Sequence, residues 1–238
     1  MTLGAVAVLI GAPPGCAGLV EKTRSALASQ TVLPASVAVQ APDGNAEQAA
    51  LAAGAQWLWL LDGVTVPRPD ALEAFAAALT TLDGLPQPLV LAGKVLDGTG
   101  ALHPDAAPRH EIFEKQLTVD ACERGLVQLR AVPAGSLFVH REAFERFGPL
   151  RTDLAPSWAA FEFTARVLQA WGDTGYLVPP SVAVRWVPAR PDGRRSGALR
   201  ARARLLAGSA WTPTERLWEG FLVIEGALRA VRGPGRRA

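Results

Sequence analysis

The stretch WLWLLDGVTVPRPDAL, Trp57 to Leu72, decides how the chain is read. Its first five residues, Trp57–Leu61, form an unbroken apolar run ending at turn residues, which suits a strand covered on both faces. After Pro67 and Pro69, Asp70 is predicted to cap a helix running to about Thr80. Upstream, Val6–Ile10 reads as a buried strand, and Gly11, Pro13, Pro14 and Gly15 as a loop. Leu19–Ser29 fits a helix with Leu19, Thr23, Ala26 and Leu27 on one face. Ser36–Gln40 is a strand ending at the turn signal Ala41-Pro42-Asp43-Gly44. Asn45–Ala53 is a helix with Asn45 as N-cap and Gly54 as its stop. Leu89–Val95 is a fourth strand. The β-α-β-α-β-α-β order predicts an α/β fold with a mixed, mostly parallel sheet and helices on both faces. Such a sheet places its ligand at the carboxyl ends of the strands.

Downstream, Leu96–Arg124 reads as loop. Leu126–Val132 and Leu137–Val139 are expected strands, and Arg141–Phe147 a helix ended by Gly148-Pro149. A helix fits Trp158–Ala170, and Tyr176–Val178 and Val182–Trp186 are expected to close the domain as two strands. The expected division is a domain over 1–188 and a basic linker with amphipathic helices over 189–238. The helices fall at about Leu199–Gly208 and Thr214–Val231.

The 238 residues carry 24 Lys+Arg and 22 Asp+Glu, with 49% apolar residues and a mean hydropathy of +0.16. That composition excludes a disordered or collagen-like chain. No run of 18 apolar residues exists, and two cysteines, Cys16 and Cys122, are too few for a disulfide framework, so a cytoplasmic protein is expected. The charge is segregated. From Thr174 onward there are twelve Arg and four acids, a net of +8, whereas the first 173 residues carry a net of −6. This segregation suits either an anionic partner or a solvated Arg-rich face. No fold or aromatic interleaving supports a nucleic-acid role. Trp211, Leu217, Trp218, Phe221, Leu222 and Ile224 interleave with Arg in the last helices. They suit either a membrane surface or packing on the domain or on a second subunit. The three histidines lack ligand spacing. The loop Gly11–Gly15 lacks the Gly-Lys-Ser/Thr ending of a phosphate loop.

Three runs together carry a resemblance that spans most of residues 4–187. They are Trp57–Leu72, VPAGSLFVHREAFERFGPL (Val132–Leu150), and WAAFEFTARVL (Trp158–Leu168) with GYLVPPSVAVRW (Gly175–Trp186). In this order the chain resembles glycosyltransferase family 2, the inverting nucleotide-sugar transferases of GT-A fold, and among them the rhamnosyl- and galactofuranosyltransferase-like members. The resemblance implies a nucleotide-sugar donor and a glycan or lipid-linked acceptor in cell-surface polysaccharide synthesis. It also implies Mg²⁺ or Mn²⁺, which would neutralise the leaving diphosphate as a Lewis acid.

The chain departs from the family pattern at four places. Where the family has an Asp-x-Asp motif, Leu61-Asp62-Gly63-Val64 keeps only Asp62, and a lone carboxylate is a poor site for a hard divalent ion. Where a Trp-Asp-Asp-x-Glu phrase supplies the general base, Trp158-Ala159-Ala160-Phe161-Glu162 keeps Glu162 alone. Glu162 also stands four residues before Arg166, a spacing that favours an ion pair. Where a late His completes the metal site, Arg185 or Trp186 stands, and a guanidinium has only donors. Where an Asp binds the base, Ala41 stands, with Asp43 two residues late. Two interpretations stay open. One is a non-catalytic GT-A scaffold that binds a partner transferase, a glycan or a membrane surface. The other is metal-independent transfer, in which Asp43, Asp62 and Arg185 bind the nucleotide sugar and Glu162 or Asp153 acts as base. Peripheral contact with the inner membrane face would suit either.

Overall fold

The computed structural model describes residues 3–40, 46–103, 106, 108, 127–133, 135–154, 156–186, 211–214, 216–217, 220 and 224. In chain order the elements are β1 (Val6–Gly11), α1 (Ala17–Ala28), β2 (Ser36–Gln40), α2 (Ala46–Ala52), β3 (Trp57–Leu61), β4 (Thr65–Pro67), α3 (Ala71–Thr81) and β5 (Val90–Leu96). They continue with β6 (Val127–Gln128), β7 (Ser136–His140), α4 (Arg141–Phe147), α5 (Pro156–Ala170) and β8 (Gly175–Arg185). The eight strands form one sheet in the order β2-β1-β3-β7-β5-β8-β4, with β6 paired to β8. β1, β2, β3, β5 and β8 run one way, and β7, β4 and β6 run against them. The mostly parallel sheet follows from the central apolar runs, which bury both faces.

Alternation along β3 sends Trp57, Trp59 and Leu61 to the face covered by α1 and α3. Leu58 goes to the opposite face, with Ala143 and Phe144 of α4, Phe163 and Val167 of α5, and Leu51 of α2 at its margin. On the first face Trp57 stacks on Phe138 at 4.7 Å, and Phe138 on Phe75 at 4.6 Å. Trp59 is fully buried, so its indole N–H needs an acceptor; it donates to Ser136 Oγ at 3.0 Å. Gly93 on β5 makes room for that serine, since a Cβ there would stand 2.6 Å from Ser136 Oγ.

The structure corrects the reading in four places. The loop after Asp62 contains β4, whose Pro67 is tolerated because the strand lies at the sheet's edge. The two strands expected over 176–186 are a single β8. Its Pro179-Pro180-Ser181 segment is accommodated by a register shift against Gly93/Lys94. The strand expected over 126–132 shrinks to Val127–Gln128. Asp70 occupies the N-cap of α3 but makes no capping hydrogen bond. Gln30, buried at the end of α1, caps instead: Leu72 N–H donates to its Oε1 at 3.1 Å, and its Nε2 donates to the Arg68 carbonyl at 2.6 Å. Helix 199–208, Asn45 and most of 214–231 lie outside the described residues. Of the C-terminal segment, Trp211 is buried against Phe161 of α5, with ring centroids 5.9 Å apart. Leu217 and Ile224 are exposed.

Candidate functional site

β1 continues through α1 to β2 on one side, while β3 lies on its other side, so the connections diverge between β1 and β3. A crevice opens at the carboxyl ends of strands at such a point, which is where open α/β sheets take ligands. Gly11 ends β1 and Asp62 follows β3. A Cβ on Gly11 would come within 3.6 Å of the Asp62 Cα, so the two strand ends lie close together. Gly63 turns the chain with φ +69°, and a side chain there would collide with the Gly11 carbonyl. Only glycine meets both demands.

At this edge Asp62 is nine-tenths buried, and both its carboxylate oxygens are engaged. Oδ1 accepts the Val64 N–H at 3.3 Å, and Oδ2 accepts from the Arg185 guanidinium in an ion pair. Arg185 is the last residue of β8, brought here by its pairing with Thr65 of β4. Its Nε is buried and has no hydrogen-bond partner among the described residues. The next residue, Trp186, donates its backbone N–H to the Val64 carbonyl at 3.2 Å and leaves half its surface exposed. Lys22 of α1 holds its ammonium 3.8 Å from the centre of that indole. The contact of Lys22 with Trp186 is not legible in the sequence, because it depends on where α1 passes β4.

Two of the other three candidate carboxylates lie on the α5 side. Glu162 is 2% exposed, and both its oxygens accept from Arg166, from Nε at 3.0 Å and Nη2 at 3.2 Å. Arg166 also donates to the carbonyls of Phe147 and Pro149, which ties α5 to the end of α4. Asp153 is exposed and accepts from Arg151, from Nε at 2.9 Å and Nη2 at 2.7 Å. That hydrogen bond raises the Arg151 guanidinium above its already high value. Ala159 and Ala160 are buried among apolar neighbours. Asp43 lies outside the described residues. The structure thus joins Asp62 with Arg185 and places Glu162 and Asp153 each in a bidentate pair with its own arginine.

The described residues at this edge do not suit a divalent cation. Asp62 already accepts from a guanidinium, and among the described residues no three His, Cys, Asp or Glu side chains converge. Hard cations take six or more oxygen ligands, with one or two carboxylates among them even where waters and phosphates supply the rest, and the guanidinium on Asp62 opposes their approach. Among the described residues no helix is long and apolar enough to cross a membrane.

No protein-family model matches the sequence, and no curated protein does. Solved structures do match in fold. GalNAc-T7, solved with UDP, GalNAc and Mn²⁺, aligns with a TM-score of 0.58 at 14% identity over 86% of this chain, which spans about half (48%) of that protein. The mannosyltransferase PcManGT from Pyrobaculum calidifontis, in complex with GDP-Man and Mn²⁺, aligns at 0.54 and 14% identity, covering 97% of this chain and 76% of that one. Staphylococcus aureus TarS (residues 1–349) aligns at 0.52 and 10% identity, covering 98% and 73%. These structures are GT-A glycosyltransferases, and the chain shares their mixed α/β architecture. Its fold is GT-A.

Proposed function

We propose that the chain is a glycosyltransferase family 2-like protein, of rhamnosyl- or galactofuranosyltransferase-like type, working in cell-surface glycan synthesis. In this reading it holds a nucleotide-diphosphate sugar at the β1/β3 crevice without a divalent cation, and its transfer step is impaired. One observation carries the reading: the Asp62 carboxylate is paired with the Arg185 guanidinium at the edge where sheets of this kind take their ligands. The guanidinium, whose charge Asp62 matches, has further N–H donors for phosphate oxygens, with the planar fork that suits them. The likeness in fold to enzymes solved with UDP or GDP-Man supports a nucleotide-sugar ligand.

The impairment is argued from the acceptor side. A general base must reach the acceptor hydroxyl with a free lone pair. Glu162 is 2% exposed and held by Arg166, which keeps it from an acceptor hydroxyl, and Asp153 is held by Arg151 in a bidentate pair. The same pairings favour a second reading, a GT-A scaffold that binds a partner transferase or glycan. Both readings take residues 1–188 as the domain and 189–238 as a basic extension, of which Trp211 packs on α5. The extension's exposed Leu217 and Ile224, seven residues apart, suit a membrane surface.

Calorimetry with UDP, GDP and dTDP, in EDTA and in Mn²⁺, tests the reading. One nucleotide is expected to bind with the same affinity in both. Binding that requires Mn²⁺ contradicts metal independence, and absence of binding to any nucleotide favours the scaffold.

A further inference from the structure

We propose that Lys22 and Trp186 form the second half of the ligand edge, with Lys22 contacting a phosphate and Trp186 stacking a nucleobase. This rests on the reading above, that a nucleoside diphosphate binds beside Arg185. The first observation is charge. Arg185 is matched by Asp62, whereas among the described residues no carboxylate pairs with Lys22, whose contact is the indole of Trp186. The three side chains together leave one uncompensated positive charge at the carboxyl edge of the sheet, a location that draws anions.

The second observation is placement. Thr23, the next residue after Lys22, is buried with its hydroxyl shared between the Leu19 carbonyl at 3.0 Å and the Thr65 carbonyl at 3.3 Å, and Thr65 is paired in register with Arg185. That contact fixes α1 against β4, so the two cations flank the end of β8. Trp186 is anchored through its backbone to Val64 yet keeps 50% of its surface in solvent, whereas Trp57 and Trp59 are fully covered. An anchored indole with open surface is a stacking platform that any base can use.

The third observation is residue type. Lys22 is one of three lysines among 24 basic residues. An ammonium on a flexible four-carbon stem can leave the indole for a phosphate oxygen, whereas a guanidinium stacks more firmly on an aromatic face.

The test titrates the full chain with UDP, GDP and inorganic pyrophosphate in EDTA, with thermal unfolding run alongside to show that each variant is folded. Lys22→Gln is expected to weaken all three about tenfold, the loss of roughly one charge-assisted contact. Trp186→Ala is expected to weaken UDP and GDP about tenfold and leave pyrophosphate unchanged. Trp186→Phe is expected to stay within about twofold of the parent, and Lys22→Arg, whose guanidinium is held more firmly by the indole, to fall between the parent and Lys22→Gln. If the parent binds nucleotide and neither Lys22→Gln nor Trp186→Ala changes it, this inference falls while the preceding reading stands. If Trp186→Ala weakens pyrophosphate as much as UDP, the stacking role falls. If the parent binds no nucleotide, both fall together.

Discussion

Arg185 reaches Asp62 across 123 residues of sequence, and the pair is mostly withdrawn from water. Taking one member from such a pair leaves the other charge buried and unmatched, which costs more than the pair itself contributes. Asp62→Asn is therefore expected to lower stability by about 3 kcal/mol in denaturant unfolding. Asp62→Asn combined with Arg185→Met should recover much of that loss, and a sum of the two single effects would contradict the coupling. Glu162 leads to a different expectation. Since its carboxylate is spent on Arg166, Glu162→Gln should lower stability while leaving nucleotide affinity unchanged, and a selective loss of affinity would contradict the structural role given to it. His140 adds a pH dependence. Burial holds its imidazole below the ordinary value, against the opposing pull of Glu142 and Glu145 on α4, and Arg141 adds to the lowering. The unfolded chain then binds the proton more readily than the folded one. Stability should accordingly fall as pH drops below about 6.5, the ordinary imidazole value, towards the lower folded one. Unfolding midpoints of His140→Gln across that window should lose this component of the slope.

At the scale of elements, what the sequence disclosed follows the strength of its periodicity. β1, β2, β3 and β5 are apolar runs bounded by turn residues, and they lie where those runs stand, within a residue at either end. β4 was not legible, because three residues ending in proline carry no period of their own and become a strand only by pairing with β8. β8 itself looked broken at Pro179-Pro180, and only the neighbouring β5, by shifting register, shows that one strand runs through. The candidate site divides in the same way. The Glu162–Arg166 pair was legible, since it needs only the helical four-residue spacing. The resemblance implied that Asp62 and Arg185 share a site, but their ion pair and the Lys22–Trp186 contact were not legible, since they depend on where β4 and β8 meet. The cap of α3 is a further long-range device. Gln30→Ala removes both an acceptor for Leu72 N–H and a donor to the Arg68 carbonyl, and is expected to destabilise the protein by about 1–2 kcal/mol, measured by chemical unfolding. Asp70→Ala, whose side chain makes no capping bond, should cost less than Gln30→Ala.

At the scale of the molecule, two facts bear on one another. The sheet keeps the strand order and the β1/β3 divergence that open a ligand crevice, while the carboxylates that would serve a cation or a base each hold an arginine. The C-terminal segment joins the same body through Trp211, buried with Ala159, Phe161 and Ala165 of α5. Trp211→Ala should cost about 3 kcal/mol, in the range for large-to-small core changes, and hasten proteolysis beyond residue 186. The central claim, that a guanidinium has taken the place of a cation, is tested most directly by electron paramagnetic resonance of Mn²⁺ titrated with the full chain and UDP. The free-ion signal should fall no further than UDP alone lowers it. A stoichiometric loss of signal on adding protein, abolished by Asp62→Asn, would contradict the account.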